Sequence, residues 1–161
     1  MQTTLPSVTR RPATPADEAL LQELFLSSHP ELMQLPPDVL APLAGMQLRA
    51  RNEQYAAAYP RARHEILVAG ATDVGRLLVD HGPDAVRIVD VAVLPGHRGQ
   101  GFASAALTDV SARAGGRPLR LSVWSENREA RRLYERLGFE VLDGDEGGYL
   151  EMQQSDGQEA C

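Results

Sequence analysis

Three side chains and one loop of this 161-residue chain could do chemistry. The loop reads Gly96-His97-Arg98-Gly99-Gln100-Gly101. It lies between a β-branched run, Ile88-Val-Asp-Val-Ala-Val-Leu94, and a segment with Ala103, Leu107, Val110 and Ala114 at helical spacing. The first N–H groups of a helix lack intrahelical partners, and glycine lets a ligand come close to backbone. A strand, a glycine loop and a helix start therefore make an anion site, in which Gly99, Gln100, Gly101, Phe102, Ala103 and Ser104 offer N–H groups to a phosphate. Asp90 is a carboxylate inside the apolar strand. Burial raises such a group toward the range of a useful base, unless it is a structural ion pair with an arginine. Tyr134 follows Asn127 by seven residues, about two helical turns, so both fall near one face. A phenol with an ordinary pKa near 10 is a competent proton donor at neutral pH; the other reading is a core tyrosine with a satisfied hydroxyl. Asn127 is a helix-capping residue type.

Several folds cradle phosphate with glycines. A P-loop needs a lysine after its last glycine, and this chain has no lysine. A dinucleotide fingerprint needs a third glycine where Ser104 stands, near the first strand rather than mid-chain. Arg98-x-x-Gly101-x-Ala103 instead resembles the acyl-CoA pyrophosphate loop of the GNAT N-acetyltransferases. Downstream, Asn127-x-x-Ala130-x-x-x-Tyr134-x-x-x-Gly138-Phe139 resembles the second signature of that family. The resemblance implies acetyl transfer from acetyl-CoA to a primary amine by direct attack in a ternary complex. It implies that Tyr134 protonates the departing thiolate and that Asn127 hydrogen-bonds the pantetheine arm. Val91, Ala92 and Val93 would pair with that arm like an added strand. Arg98 either touches a phosphate or braces the loop, and His97 packs. The family's two glutamate positions for a general base fall on Arg87 and Ser122, neither of which can serve, which leaves Asp90, Glu65, Glu126 or a water chain. The runner-up is a non-catalytic acyl-CoA-binding sensor; a third reading is an interaction module whose loop is only a tight turn.

The elements that position these groups follow from periodicity. Val8–Arg11 reads as a strand. A helix of about three turns follows Asp17, and a second spans Asp38–Ala58 with Leu40, Leu43, Met46 or Gln47, and Ala50 inward, weakened by Pro42 and Gly45. Strands at Glu65–Ala69 and Arg76–Asp80 flank a turn at 70–75, and the central strand starts at Val86. After the loop helix come a strand at Leu119–Val123, a helix over about Asn127–Leu137 with Ala130, Leu133 and Leu137 inward, and strands at Phe139–Leu142 and Tyr149–Met152. The expected fold is α/β of GNAT type: a mixed twisted sheet of about six to seven strands flanked by about four helices. Residues 1–152 form the domain and 153–161 a disordered tail.

Composition narrows the partners. The net charge of −6 argues against nucleic acid, and no apolar run approaches a membrane span. Residues 96–136 nevertheless hold eight arginines against four acids, a basic block around the proposed phosphate loop. Four histidines show no metal-ligand spacing, so no metal is expected. One cysteine, Cys161, excludes an internal disulfide, and a cytoplasmic location is the default. A homodimer is compatible with all of this.

Overall fold

The computed structural model describes residues 5–145 and 147–155. Seven strands form one sheet in the order β1-β2-β3-β4-β5-β7-β6, where β1 is Thr9–Pro12, β2 Arg63–Ala69, β3 Thr72–His81, β4 Val86–Val93, β5 Leu119–Trp124, β6 Phe139–Gly144 and β7 Tyr149–Gln154. Every neighbouring pair is antiparallel except β4 and β5, which are parallel. Four helices cover the sheet: α1 (Glu18–Ser27), α2 (Pro37–Ala58), α3 (Phe102–Ala112) and α4 (Arg128–Arg136). This is the mixed sheet with four helices that the sequence led one to expect.

Two cores result, one per face. Leu21, Leu24 and Phe25 of α1 pack with Ala44 and Leu48 of α2 over Ile66. On the other face, Ala106, Leu107 and Val110 of α3 and Tyr134 of α4 pack over Leu67, Leu77, Ile88 and Leu121. Burying each leucine-sized side chain contributes about 1.5–3 kcal/mol. Arg10 of β1 ties α3 to the sheet through Asp109 at 2.7 Å.

Four local expectations change. The β2–β3 turn is only Gly70-Ala71, because Val74 is an extra residue that lets β3 begin at Thr72. Gly75, expected in that turn, is therefore a buried strand residue, and a Cβ there would lie 2.1 Å from the Ala92 carbonyl oxygen. Helix α2 turns Ala44, Gly45 and Leu48 inward; Met46 is 56% exposed and Ala50 is exposed. Small residues let α2 approach α1 closely (a Cβ on Gly45 would come 3.2 Å from the Gln22 side chain), so the larger leucine stripe is only half-buried. Pro12 closes β1, which an edge strand tolerates. Strand β7 runs to Gln154, two residues past the expected domain end; the rest of the expected tail, 156–161 with Cys161, lies outside the described residues. Among the described residues no helix is long and apolar enough to cross a membrane.

Candidate active site

The site begins where the sheet comes apart. Strands β4 and β5 pair only at Val86–Leu119 and Arg87–Arg120 and then separate. Val89 is a bulge in β4, since Val79 faces Ile88 and Leu78 faces Asp90. The resulting cleft, about 440 Å³, is lined by β4, β5, α1, α2, α4 and Tyr149 of β7. The open edge of β4 carries unpaired backbone groups. Leu94 N–H donates to Val74 on β3, so antiparallel alternation turns Val91 and Val93 toward the gap. Ala92, expected to share that role, faces β3 opposite Arg76 and packs its methyl into the α1–α2 core.

At the end of β4, a 3-10 turn over Pro95–His97 leads into the glycine loop. Gly101 is the N-cap of α3 at φ +88°, and the first helical bond runs from Ala105 N–H to the Gly101 carbonyl. Among the described residues the N–H groups of Phe102, Ala103 and Ser104 have no acceptor and no side chain caps them. Phe102 is buried and anchors the helix start, with His97 packed on it at 6.3 Å. Arg98 braces: Nε donates to the Val93 carbonyl and an Nη to Ser27 Oγ, each at 3.0 Å, which locks the loop to α1. Gln100 reaches back to the Gly96 carbonyl. A Cβ on Gly101 would meet Pro6 at 3.1 Å, so glycine is required there by packing as well as by φ.

Helix α4 supplies the other wall. The Asn127 side-chain oxygen accepts from Ala130 N–H at 3.2 Å, which caps the helix and leaves the amide N–H₂ to the cleft. Ala130 and Tyr134 follow on the same face. Tyr134 is 8% exposed and tilts against Phe139. Burial, reinforced by Asp90, pushes its phenol up to about 12. No described residue hydrogen-bonds its hydroxyl.

The structure decides between the two readings of Asp90. Arg76 of β3, 4% exposed, donates Nε and Nη2 to one Asp90 oxygen at 2.9 and 2.6 Å. Of the two readings of Asp90, the ion pair with an arginine is the one observed; among the described residues its second oxygen is unengaged, and the residue still lines the cleft. Arg76 also reaches Asn52 at 3.2 Å and His64 at 3.5 Å. Desolvation, then Arg76, holds His64 down at about 4, so it is neutral. The two expected glutamate positions also have an occupant: Arg87 and Ser122 both bind Glu151 of β7, at 2.6 and 2.9 Å, and Arg87 lowers that carboxylate's pKa. Glu65 is bonded to Arg10 on the far side of the sheet edge. Among the described residues no His, Cys, Asp and Glu cluster could hold a metal.

Several lining residues were not anticipated. Arg76 had a visible signal, a lone arginine inside the apolar run Val74–Val79. His29 had a weaker one, four residues after Phe25 at a helix end; its ring stacks on Phe25 at 4.1 Å and Nδ1 lies 2.8 Å from the Phe25 carbonyl. Arg51 of α2 sits over the same phenyl ring at 5.2 Å, and Trp124 and Tyr149 form an edge-to-face pair at 5.2 Å.

Solved structures share this architecture. An acetyltransferase of Thermus thermophilus superposes with a TM-score of 0.69 at 22% identity, covering 95% of this chain and 99% of that one. The PaiA N-acetyltransferase of Thermoplasma acidophilum, solved with coenzyme A, gives 0.67 at 15% identity over 92% and 99%. The yncA protein of Salmonella typhimurium, solved with its cofactor acetyl-CoA, gives 0.56 at 18% identity over 96% of each chain. No curated protein matches by sequence. The model of the acetyltransferase (GNAT) family matches residues 26–139, well over half of the chain, and the protein belongs to that family.

Proposed function

We propose that this chain transfers acetyl from acetyl-CoA to the primary amine of a small molecule or peptide, by direct attack while both substrates are bound. The observation that carries the reading is the buried, unpartnered Tyr134 hydroxyl facing the gap between β4 and β5. The fit to acetyl-CoA rests on groups left without partners. The N–H groups of Phe102, Ala103 and Ser104 suit the pyrophosphate. The open backbone of Val91, the Val93 N–H (its carbonyl is taken by Arg98) and the Asn127 amide suit the amide-bearing pantetheine arm. Coenzyme A in the PaiA structure and acetyl-CoA in the yncA structure support the same choice.

In the reaction the amine nitrogen forms a bond to the thioester carbonyl carbon and the carbon–sulfur bond breaks. Tyr134 gives its phenolic proton to the sulfur and regains one from solvent. The unengaged Asp90 oxygen accepts a hydrogen bond from the amine and orients its lone pair, and the amine's surplus proton leaves the cleft. Ser28 is no acyl carrier, because its hydroxyl donates to the Phe25 carbonyl at 3.0 Å. The Arg76–Asp90 pair favours one competing reading, a non-catalytic acyl-CoA sensor, since it removes the isolated base. Calorimetry with acetyl-CoA, followed by thiol release with a panel of amines, tests the proposal. Micromolar binding with amine-dependent release is expected. Absence of acetyl-CoA binding refutes the site; binding without release for any amine leaves the sensor.

A further inference from the structure

The reaction needs a group to take the amine's proton, and the cleft's carboxylate is already paired with Arg76. We infer that His29 is the general base, using Nε2; this rests on the acetyltransferase reading. The geometry settles its tautomer. Nδ1 lies 2.8 Å from the Phe25 carbonyl oxygen, which can only accept, so Nδ1 carries the hydrogen; the Ser28 hydroxyl, 3.2 Å from the same nitrogen, gives its own hydrogen to that carbonyl at 3.0 Å. The neutral ring then holds its lone pair on Nε2, and no described group hydrogen-bonds that atom. Stacking on Phe25 at 4.1 Å and 21° fixes the ring plane, and His29 lines the cleft together with Asp90 and Tyr134. A carbonyl-bound Nδ1 with a free Nε2 is how a histidine is oriented to receive a proton.

The charged and titratable groups around it are Arg51 and Tyr55 from α2, Arg76 from β3, Asp90 from β4, Tyr134 from α4 and Tyr149 from β7, with Arg98 two residues away at Ser27. Histidine is the side chain type that ordinarily titrates between pH 5 and 8, and among the described residues His29 is the only histidine lining this cleft. Its neighbour His64 lines the adjacent cavity behind Arg76 and is held neutral at about 4. Proton balance is simple. His29 Nε2 takes the proton that the attacking nitrogen loses, Tyr134 gives one to the thiolate, and solvent restores both.

The alternative role is a C-terminal cap of α1, and His29→Asn separates the two. Asparagine keeps an N–H donor for the Phe25 carbonyl but cannot take up a proton. The acceptor is the best of a panel comprising the twenty amino acids, tyramine, phenethylamine and spermidine. For wild type we expect kcat/KM to rise with pH along a limb that reports the general base. In His29→Asn that limb should vanish and kcat/KM at pH 7 fall about 100-fold, with acetyl-CoA affinity within twofold. His29→Gln, which also lacks a base, should match it. Nitrogen-15 spectra of the histidine rings should show an Nδ1–H tautomer that is absent from His29→Asn. An unchanged pH profile, an Nε2–H tautomer, or a parallel loss of acetyl-CoA affinity each overturns the assignment. Wild type that neither binds acetyl-CoA nor turns over instead removes the parent reading and this one with it.

Discussion

Replacing Tyr134 with phenylalanine separates chemistry from architecture, because its hydroxyl does nothing inside the protein. The residue is 8% exposed and its ring packs on Phe139, yet no described group bonds the oxygen. Tyr134→Phe keeps the ring and removes a hydroxyl that borders the cleft and bonds no described group, so stability at pH 7 should be unchanged or gain up to about 1 kcal/mol. In a domain of this size that is a rise in Tm of about 2–4 °C. The phenol's pH behaviour gives a second signature. Its folded pKa is about 12 against an ordinary value near 10, so the neutral form is favoured by folding. The linked stability is complete below pH 10 and is lost as pH rises toward 12, a fall of about 2–3 kcal/mol that the variant lacks. Turnover should drop by about 10²–10⁴, since the thiolate must then leave unprotonated. Acetyl-CoA affinity should hold. The assays are thiol release, calorimetry, and denaturant unfolding at pH 7 and 11. Retained turnover, or a stability loss above about 1 kcal/mol at pH 7, would show that the hydroxyl is structural after all.

Other perturbations probe the support of the site. Arg76→Gln leaves Asp90 without its guanidinium and should cost about 3 kcal/mol, toward the low end for a broken buried pair because Asp90 keeps 23% side-chain exposure. Adding Asp90→Asn should recover part of that loss, and an additive double-mutant cycle would refute the coupling. Gly75→Ala forces a methyl against the Ala92 carbonyl and should cost about 3 kcal/mol, with weaker acetyl-CoA binding as β4 shifts; a loss under about 1 kcal/mol would mean the strands part freely. Gly101→Val, at φ +88° and against Pro6, should abolish measurable acetyl-CoA binding in calorimetry, whereas intact affinity sinks the loop assignment. Asp17 is held at about 2, chiefly by its hydrogen bonds from Arg11 and then Thr14. Its contribution is therefore full above an ordinary carboxylate value near 4 and disappears as pH falls toward 2. Asp17→Asn should lose about 1–3 kcal/mol at pH 7 and flatten that acid limb in thermal melts; an identical limb counts against the assignment.

The half of the site that would meet acetyl-CoA was legible because it is local. Val91 to Ser104 is one uninterrupted strand–loop–helix, and Asn127 to Tyr134 is one helix start, so residue type and spacing already carried the geometry. On α4 the structure buries Tyr134, while Ala130, Leu133 and Leu137, expected inward, are only partly buried. Misreadings arose where packing overrode pattern. Gly75 looked like a turn residue because glycines bracket 70–75, but a bulge on β3 absorbed the extra residue. The α2 stripe was placed on its leucines, while the close α1 contact selected Ala44 and Gly45.

The half that would meet the amine was hidden for a different reason: apart from His29, its polar groups take their character from partners distant in the chain. An arginine partner for Asp90 was one of its two readings in sequence, but only the β3–β4 register identifies it as Arg76, fourteen positions away. Arg87 and Ser122 looked like losses until β7 delivered Glu151 to both. His29 had no spacing partner at all, and its orientation depends on a backbone carbonyl one turn earlier. The two halves also differ in what their mutation can change. Loop and strand-edge groups act through unpaired backbone N–H and C=O, which substitutions reach only by moving the chain. The cleft's Arg51, Arg76 and Asp90 would act through side chains held by cross-element contacts, and His29 through a ring held at the end of its own helix. Side-chain changes there can alter which amine is accepted, and at what pH, while the groups proposed to hold acetyl-CoA stay in place. Acceptor choice and cofactor affinity should accordingly separate in mutant kinetics, with variants of the first set moving kcat/KM for the amine and variants of the second moving the Kd of acetyl-CoA.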